Sequence, residues 1–118
     1  MTTVIPSEVE ESRREFEDIH MRAANYFVYI LTNQRHTVLY IGVSNDLERR
    51  IAEHAKGSLD HFTRRFNANK LIYAEAFPDR ASAIAREKQL KQWRRSKKEA
   101  LVARLNPGWV DLRRHNQS

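Results

Sequence analysis

The chain reads as an α+β fold: a small three-stranded antiparallel sheet flanked by helices, in the order β-β-α-β-α-α, behind one extra N-terminal helix. Three observations predict it. Apolar runs of strand length, rich in aromatic and β-branched residues, fall at 26–32, 37–42 and 70–76. The first two are separated by Asn33-Gln34-Arg35-His36 alone, a hairpin-sized turn that makes them antiparallel neighbours. Helix-start residues then stand at Asn45, Asp79 and Ser96, each ahead of a segment without strand-like alternation.

Residues 7–23 read as a polar, amphipathic helix: Ser7 and Glu10 form a capping box behind Pro6, and Val9, Phe16, Ile19 and Ala23 make a thin apolar stripe. That stripe is sparse, so 1–25 is treated as an appendage and 26–118 as the domain. Within the hairpin, the short turn would set Tyr29 directly opposite Tyr40 on one face of the sheet. Asn45, with Glu48 at the third position, caps a helix running to about Lys56 before Gly57 ends it. Asp79 caps a long helix reaching about Arg95. Ser96 and Glu99 form another capping box for a helix that ends near Leu105, where Asn106-Pro107 breaks it.

Composition narrows the function classes. A chain of 118 residues has room for one domain and one core. No stretch approaches the ~20 apolar residues of a membrane helix. An acidic N-terminus without a hydrophobic segment predicts a cytoplasmic protein, and the lack of cysteine excludes disulfides and thiolate metal sites. Charge is divided by region: residues 1–25 carry a net −3 and residues 26–118 a net +9. So basic a body favours polyanion partners, since each neutralised phosphate releases counterions.

Three groups of residues are candidates for chemistry. Tyr29, Tyr40 and Gly42 lie on the hairpin, and Arg50 and His54, four apart, project from one face of the next helix towards it. Phosphodiester hydrolysis needs a proton acceptor for water and a fixed cation for developing phosphoryl charge; cross-strand packing is the plainer use of the tyrosines. Glu87 falls inside the inward arc set by Ala83, Ile84 and Leu90. A carboxylate there needs a cation, either a neighbouring Lys or Arg or a divalent metal. Last, Arg86, Lys88, Lys91, Arg94, Arg95, Lys97 and Lys98 put seven cations in thirteen residues around Trp93. The cations suit phosphate contact, whereas Trp93 suits the core.

Taken together, these residues resemble the GIY-YIG nuclease superfamily. Phe27-Val28-Tyr29, ten residues, then Tyr40-Ile41-Gly42 match its two half-motifs, with Phe27 in place of the first motif's glycine. Arg50, ten residues after Tyr40, matches the catalytic arginine, His54 a position often histidine, Glu87 the metal-binding glutamate and Asn106 a late polar residue. The match runs from about Tyr26 to Leu112. More narrowly, Asn45-Asp46-Leu47-Glu48-Arg49-Arg50 and Asn106-Pro107-Gly108-Trp109 resemble small bacterial members related to the nicking subunit of nucleotide excision repair.

The resemblance implies an endonuclease cutting DNA, with single-stranded or branched DNA favoured over plain duplex and little sequence specificity. Tyr29 would be the general base, Tyr40 would bond the water or phosphate, and Arg50 would stabilise developing charge. His54 would polarise Tyr29 or a phosphate oxygen, and Glu87 would hold one Mg²⁺ or Mn²⁺ ion. A free phenol ionises near pH 10, so such a base needs help from the metal or from polar neighbours. Arg49, Arg64, Arg65, Lys88, Lys91, Arg94, Lys97, Lys98 and Asn106 are the expected nucleic-acid contacts. The alternative is a binding module that keeps the fold and has lost catalysis.

Overall fold

A computed structural model describes residues 26–55 and 65–113. The expected N-terminal helix therefore lies outside the described residues. Strand β1 (Tyr26–Thr32) occupies the middle of a three-stranded sheet, with β2 (Leu39–Ser44) and β3 (Lys70–Phe77) pairing antiparallel on either side. Helices α1 (Leu47–Ala55), α2 (Arg80–Gln92) and α3 (Arg95–Leu105) complete the predicted order.

Alternating side chains of β1 feed both faces, which is why the strand reads as continuously apolar. Tyr29 and Leu31 join Leu47 of α1, Leu71 and Leu112 in one buried cluster. Val28 and Ile30 join Ile41, Ile72, Ala83 and Leu90 of α2, and Val102 of α3 in the other. One irregularity, a register shift between Ile30 and Leu31, interrupts the pairing of β1 with β3.

The hairpin differs from the expected one. Tyr29 faces Gly42 and Leu31 faces Tyr40, so the tyrosines are diagonal neighbours rather than opposite residues. The loop spans Asn33–Val38 because Asn33 organises it: its Oδ1 accepts from the backbone N–H of Thr37 at 2.8 Å, and its backbone oxygen accepts from His36 N–H at 3.0 Å. His36 adopts the left-handed conformation at φ 59°. Since the offset is two residues, side-chain parity survives and both tyrosines stay on the same face.

Two caps also differ. Asp46, not Asn45, caps α1: its Oδ1 accepts from Arg49 N–H at 3.2 Å. The long helix stops at Gln92 rather than near Arg95, with Trp93 as its C-cap and Arg94 as the N-cap of α3. The expected Ser96–Glu99 box is replaced by an ion pair in which Arg95 Nε lies 2.7 Å from Glu99 Oε2. Arg95 also donates to the backbone oxygens of Thr37 at 2.9 Å and His36 at 2.6 Å, tying α3 to the hairpin loop.

Candidate active site

A cleft of about 440 Å³ opens beside β2, lined by residues of both sheet faces, of α1 and of α2. Its position follows from the fold. β2 is an edge strand, so α1, entering at Leu47, and α2, packed on the opposite face, can both reach the same margin.

Tyr29 comes from the central strand and is 1% exposed. Its phenol ends over Gly42: a β-carbon there would lie 2.5 Å from Tyr29 Oη and 2.6 Å from Cζ. The glycine of the second half-motif thus provides the space that the Tyr29 ring occupies. Tyr40 sits beside it, with ring centroids 6.3 Å apart and planes at 33°. That tilted contact is itself stabilising, so the cross-strand packing expected of the pair is present alongside any chemical role.

Arg50 projects from α1 into the same cleft, and its buried Nε has no hydrogen-bond partner among the described residues. Leaving a charged donor unpaired in the interior is unfavourable, and an oxyanion would relieve it. Glu87 reaches the cleft from α2, its side chain 20% exposed, and pairs with Lys91 Nζ at 3.0 Å. The plain salt bridge weighed for Glu87 is therefore present. The side chain of His54 lies outside the described residues, as does Arg64.

The cleft contains four further polar residues that are not among the expected site residues: Tyr26, Ser44, Asn45 and Arg80. Asn45 was assigned to capping; once Asp46 takes that role, Asn45 is an exposed residue of the cleft wall. Arg80 could have been found from spacing, since it precedes Glu87 by seven residues, two helical turns on one face.

The remaining expected contacts divide by what they touch. Arg49 is exposed and shared between Asp46 at 3.4 Å and Glu53 at 3.1 Å. Arg65 lies over the Phe66 ring at 5.4 Å. Lys97 Nζ lies 4.2 Å from the Trp93 centroid, with Arg86 5.3 Å from the same ring, so Trp93 is held between two cations as well as against the core. Lys88 and Arg94 are exposed and Lys98 is half-buried. Asn106 requires a correction. It is fully buried, its Nδ2 donates to Ile72 O at 3.1 Å and Val110 O at 2.8 Å, and its Oδ1 accepts from Val110 N–H at 3.1 Å. An amide so committed fastens the C-terminal turn to β3 and has no face left for a ligand.

Another tyrosine offers an instructive contrast. Tyr73 donates to Glu75 Oε1 at 3.1 Å, and Arg86 Nε donates to the same oxygen at 3.0 Å. Burial, then the Glu75 charge and hydrogen bond, push the Tyr73 hydroxyl up to about 12. It is a structural donor, and it does not line the cleft.

The GIY-YIG catalytic domain matches residues 25–100, the span from β1 into α3. The chain belongs to the GIY-YIG family. A UPF0213 protein of Natronomonas pharaonis is 40% identical over 81 residues, covering 69% of this chain and 94% of that relative. A UPF0213 protein of Halalkalibacterium halodurans is 37% identical over 79 residues, covering 67% and 83%. The solution NMR structure of the Bacillus halodurans UPF0213 protein aligns with 79% of this chain and 98% of its own, at 30% identity and a TM-score of 0.48. This GIY-YIG chain is thus similar to a group of small proteins whose names carry the group designation alone. No helix among its described residues is long and apolar enough to cross a membrane.

Proposed function

We propose that this GIY-YIG protein is a metal-dependent endonuclease that hydrolyses phosphodiester bonds in DNA, with single-stranded or branched substrates preferred. The observation that carries the reading is the cleft itself: Tyr29, Tyr40, Arg50 and Glu87, from four separate elements, line one opening, and the buried Arg50 Nε has no partner among the described residues.

In this reading Tyr29 accepts a proton from the attacking water, and Tyr40 holds that water or a phosphate oxygen. Arg50 stabilises the charge that builds on the phosphoryl oxygens, through an N–H already buried in the cleft. The family resemblance adds His54 as an aid to Tyr29. A single divalent ion fits the residues present. Glu87 is the one carboxylate among the described residues that line the cleft, and Mg²⁺ is commonly held by one carboxylate plus water and phosphate oxygens. Bound there, Mg²⁺ or Mn²⁺ would supply Lewis-acid stabilisation of the leaving oxygen. Lys91, now paired with Glu87, would be released to a phosphate.

The test is cleavage of labelled single-stranded, duplex and branched DNA with Mg²⁺, Mn²⁺ or EDTA, for the wild type and Glu87→Gln. The expected result is metal-dependent cutting that Glu87→Gln abolishes while DNA affinity stays nearly intact. Binding without cutting by the wild type under every metal condition would favour a fold-retaining binding module instead.

A further inference from the structure

The cleft contains a cation that the proposed chemistry does not use. Arg80 lines it from the first turn of α2, is exposed, and its side chain makes no hydrogen bond or ion pair among the described residues. Asp79, the carboxylate next to it in sequence, accepts from Ser82 N–H at 2.7 Å as the helix cap.

We infer that Arg80 is a substrate-positioning residue that holds a phosphate flanking the reacting one. The inference rests on the nuclease reading above and deepens it. Arg80, Ile84 and Glu87 are spaced so that they share one helical face, and all three line the cleft. Seven residues separate Arg80 from Glu87, about 10 Å along the helix axis, so their side chains leave the helix two turns apart. Half-buried Ile84 lies between them and offers no charge. A single phosphate suits Arg50, whose buried nitrogen has the stronger need for it. A polyanion that continues through the cleft presents its next phosphate to Arg80, where a guanidinium can grip it bidentately. Asn45, an exposed amide of the β2–α1 junction, lines the same cleft.

Such a residue acts on binding, not on the reacting atoms. The experiment compares wild type, Arg80→Ala, Arg80→Lys and, as a control on the exposed face of α3, Arg104→Ala. Affinity for a short single-stranded oligonucleotide is measured by fluorescence anisotropy across a salt series, with Ca²⁺ replacing Mg²⁺, and KM and kcat are measured with Mg²⁺. Arg80→Ala should raise Kd and KM roughly tenfold, the scale of one charge-assisted hydrogen bond removed. It should also flatten the log–log salt slope by about one, leave kcat within about twofold, and leave the melting temperature unchanged. Arg80→Lys should restore part of the affinity and all of the slope, and Arg104→Ala should match the wild type.

Two results overturn the inference alone while the wild type still cuts: an Arg80→Ala protein with the Kd and slope of Arg104→Ala, or one whose kcat collapses at unchanged KM. The second places Arg80 at the reacting centre. A wild type that neither binds nor cuts the oligonucleotide overturns the nuclease reading and the inference together.

Discussion

Tyr29 carries two burdens at once, and substitution separates them. It packs at 1% exposure in the cluster with Leu47 and Leu112, and its hydroxyl end lies against Gly42. Tyr29→Phe keeps the packing and removes the proton acceptor, so the cleavage rate should fall about 10²–10⁴-fold with the melting temperature nearly unchanged. Arg50→Ala should lose a comparable factor and also weaken DNA binding, and Arg50→Lys should recover little, because an ammonium does not reproduce the guanidinium fork. A Tyr29→Phe protein cutting at close to the wild-type rate would leave the tyrosine pair with a packing role only. Asn106 makes the opposite case, a residue whose position in the motif pattern suggested a contact and whose surroundings assign it to architecture. Replacing it by Ala strands the backbone groups of Ile72 and Val110 that it now satisfies. That should lower stability by about 1–3 kcal/mol in denaturant melts while DNA affinity per folded molecule holds. A selective loss of affinity at unchanged stability would restore it to the binding surface.

At the scale of elements, strand pattern and helix order were legible in the sequence, and the exact joints were not. Aromatic and β-branched runs fixed β1 and β3 almost to the residue, because central burial demands them. The β2 register was offset by two because the loop is built by Asn33 side-chain bonds and a left-handed His36, neither of which a turn-length rule contains. His36 is also held from outside the hairpin: Lys70 Nζ lies 2.9 Å from its Nε2 and Trp109 stacks at 4.9 Å. Burial and the Lys70 and Arg95 charges keep its imidazole below the ordinary histidine range. Asp46 won the cap from Asn45 because two equally capable residues stood side by side. The α2–α3 break fell at Trp93, a position clamped by Arg86 and Lys97 through ring contacts that helix-start and helix-stop patterns do not encode. The same contacts revise the expected DNA track. Lys91 and Lys97 have partners, so replacing them would disturb Glu87 and Trp93 as well as any phosphate. Lys88, Arg94 and Lys98 are the cleaner probes. Their joint replacement by Ala should weaken binding to every DNA sequence alike and flatten the salt slope by about one for each phosphate no longer neutralised. An unaltered slope would move the track to Arg49, Arg65 and Lys70.

For the whole molecule, the informative quantity is how charge is distributed along the chain. The segment 26–118 holds a net +9 and the segment 1–25 a net −3, so one polypeptide joins a cationic body to an anionic leader. Every residue of the two half-motifs, with Arg50 and Glu87, falls after position 25, and the family match spans residues 25–100. Those two facts lead to the proposal that the domain begins at Tyr26 and that the leader is dispensable for folding. Deleting residues 1–24 should therefore leave a protein that melts cooperatively and still cuts DNA. Electrostatics predicts a further consequence. Removing net negative charge from a polyanion-binding protein raises the potential met by an approaching strand, so affinity should rise at low salt, and the gain should shrink as screening shortens the reach of each charge. A titration at about 50 mM and about 200 mM salt separates this from any gain due to newly opened surface, which would survive at both. If the truncated protein is insoluble or melts without a transition, the leader is part of the core and the boundary at 25/26 is wrong.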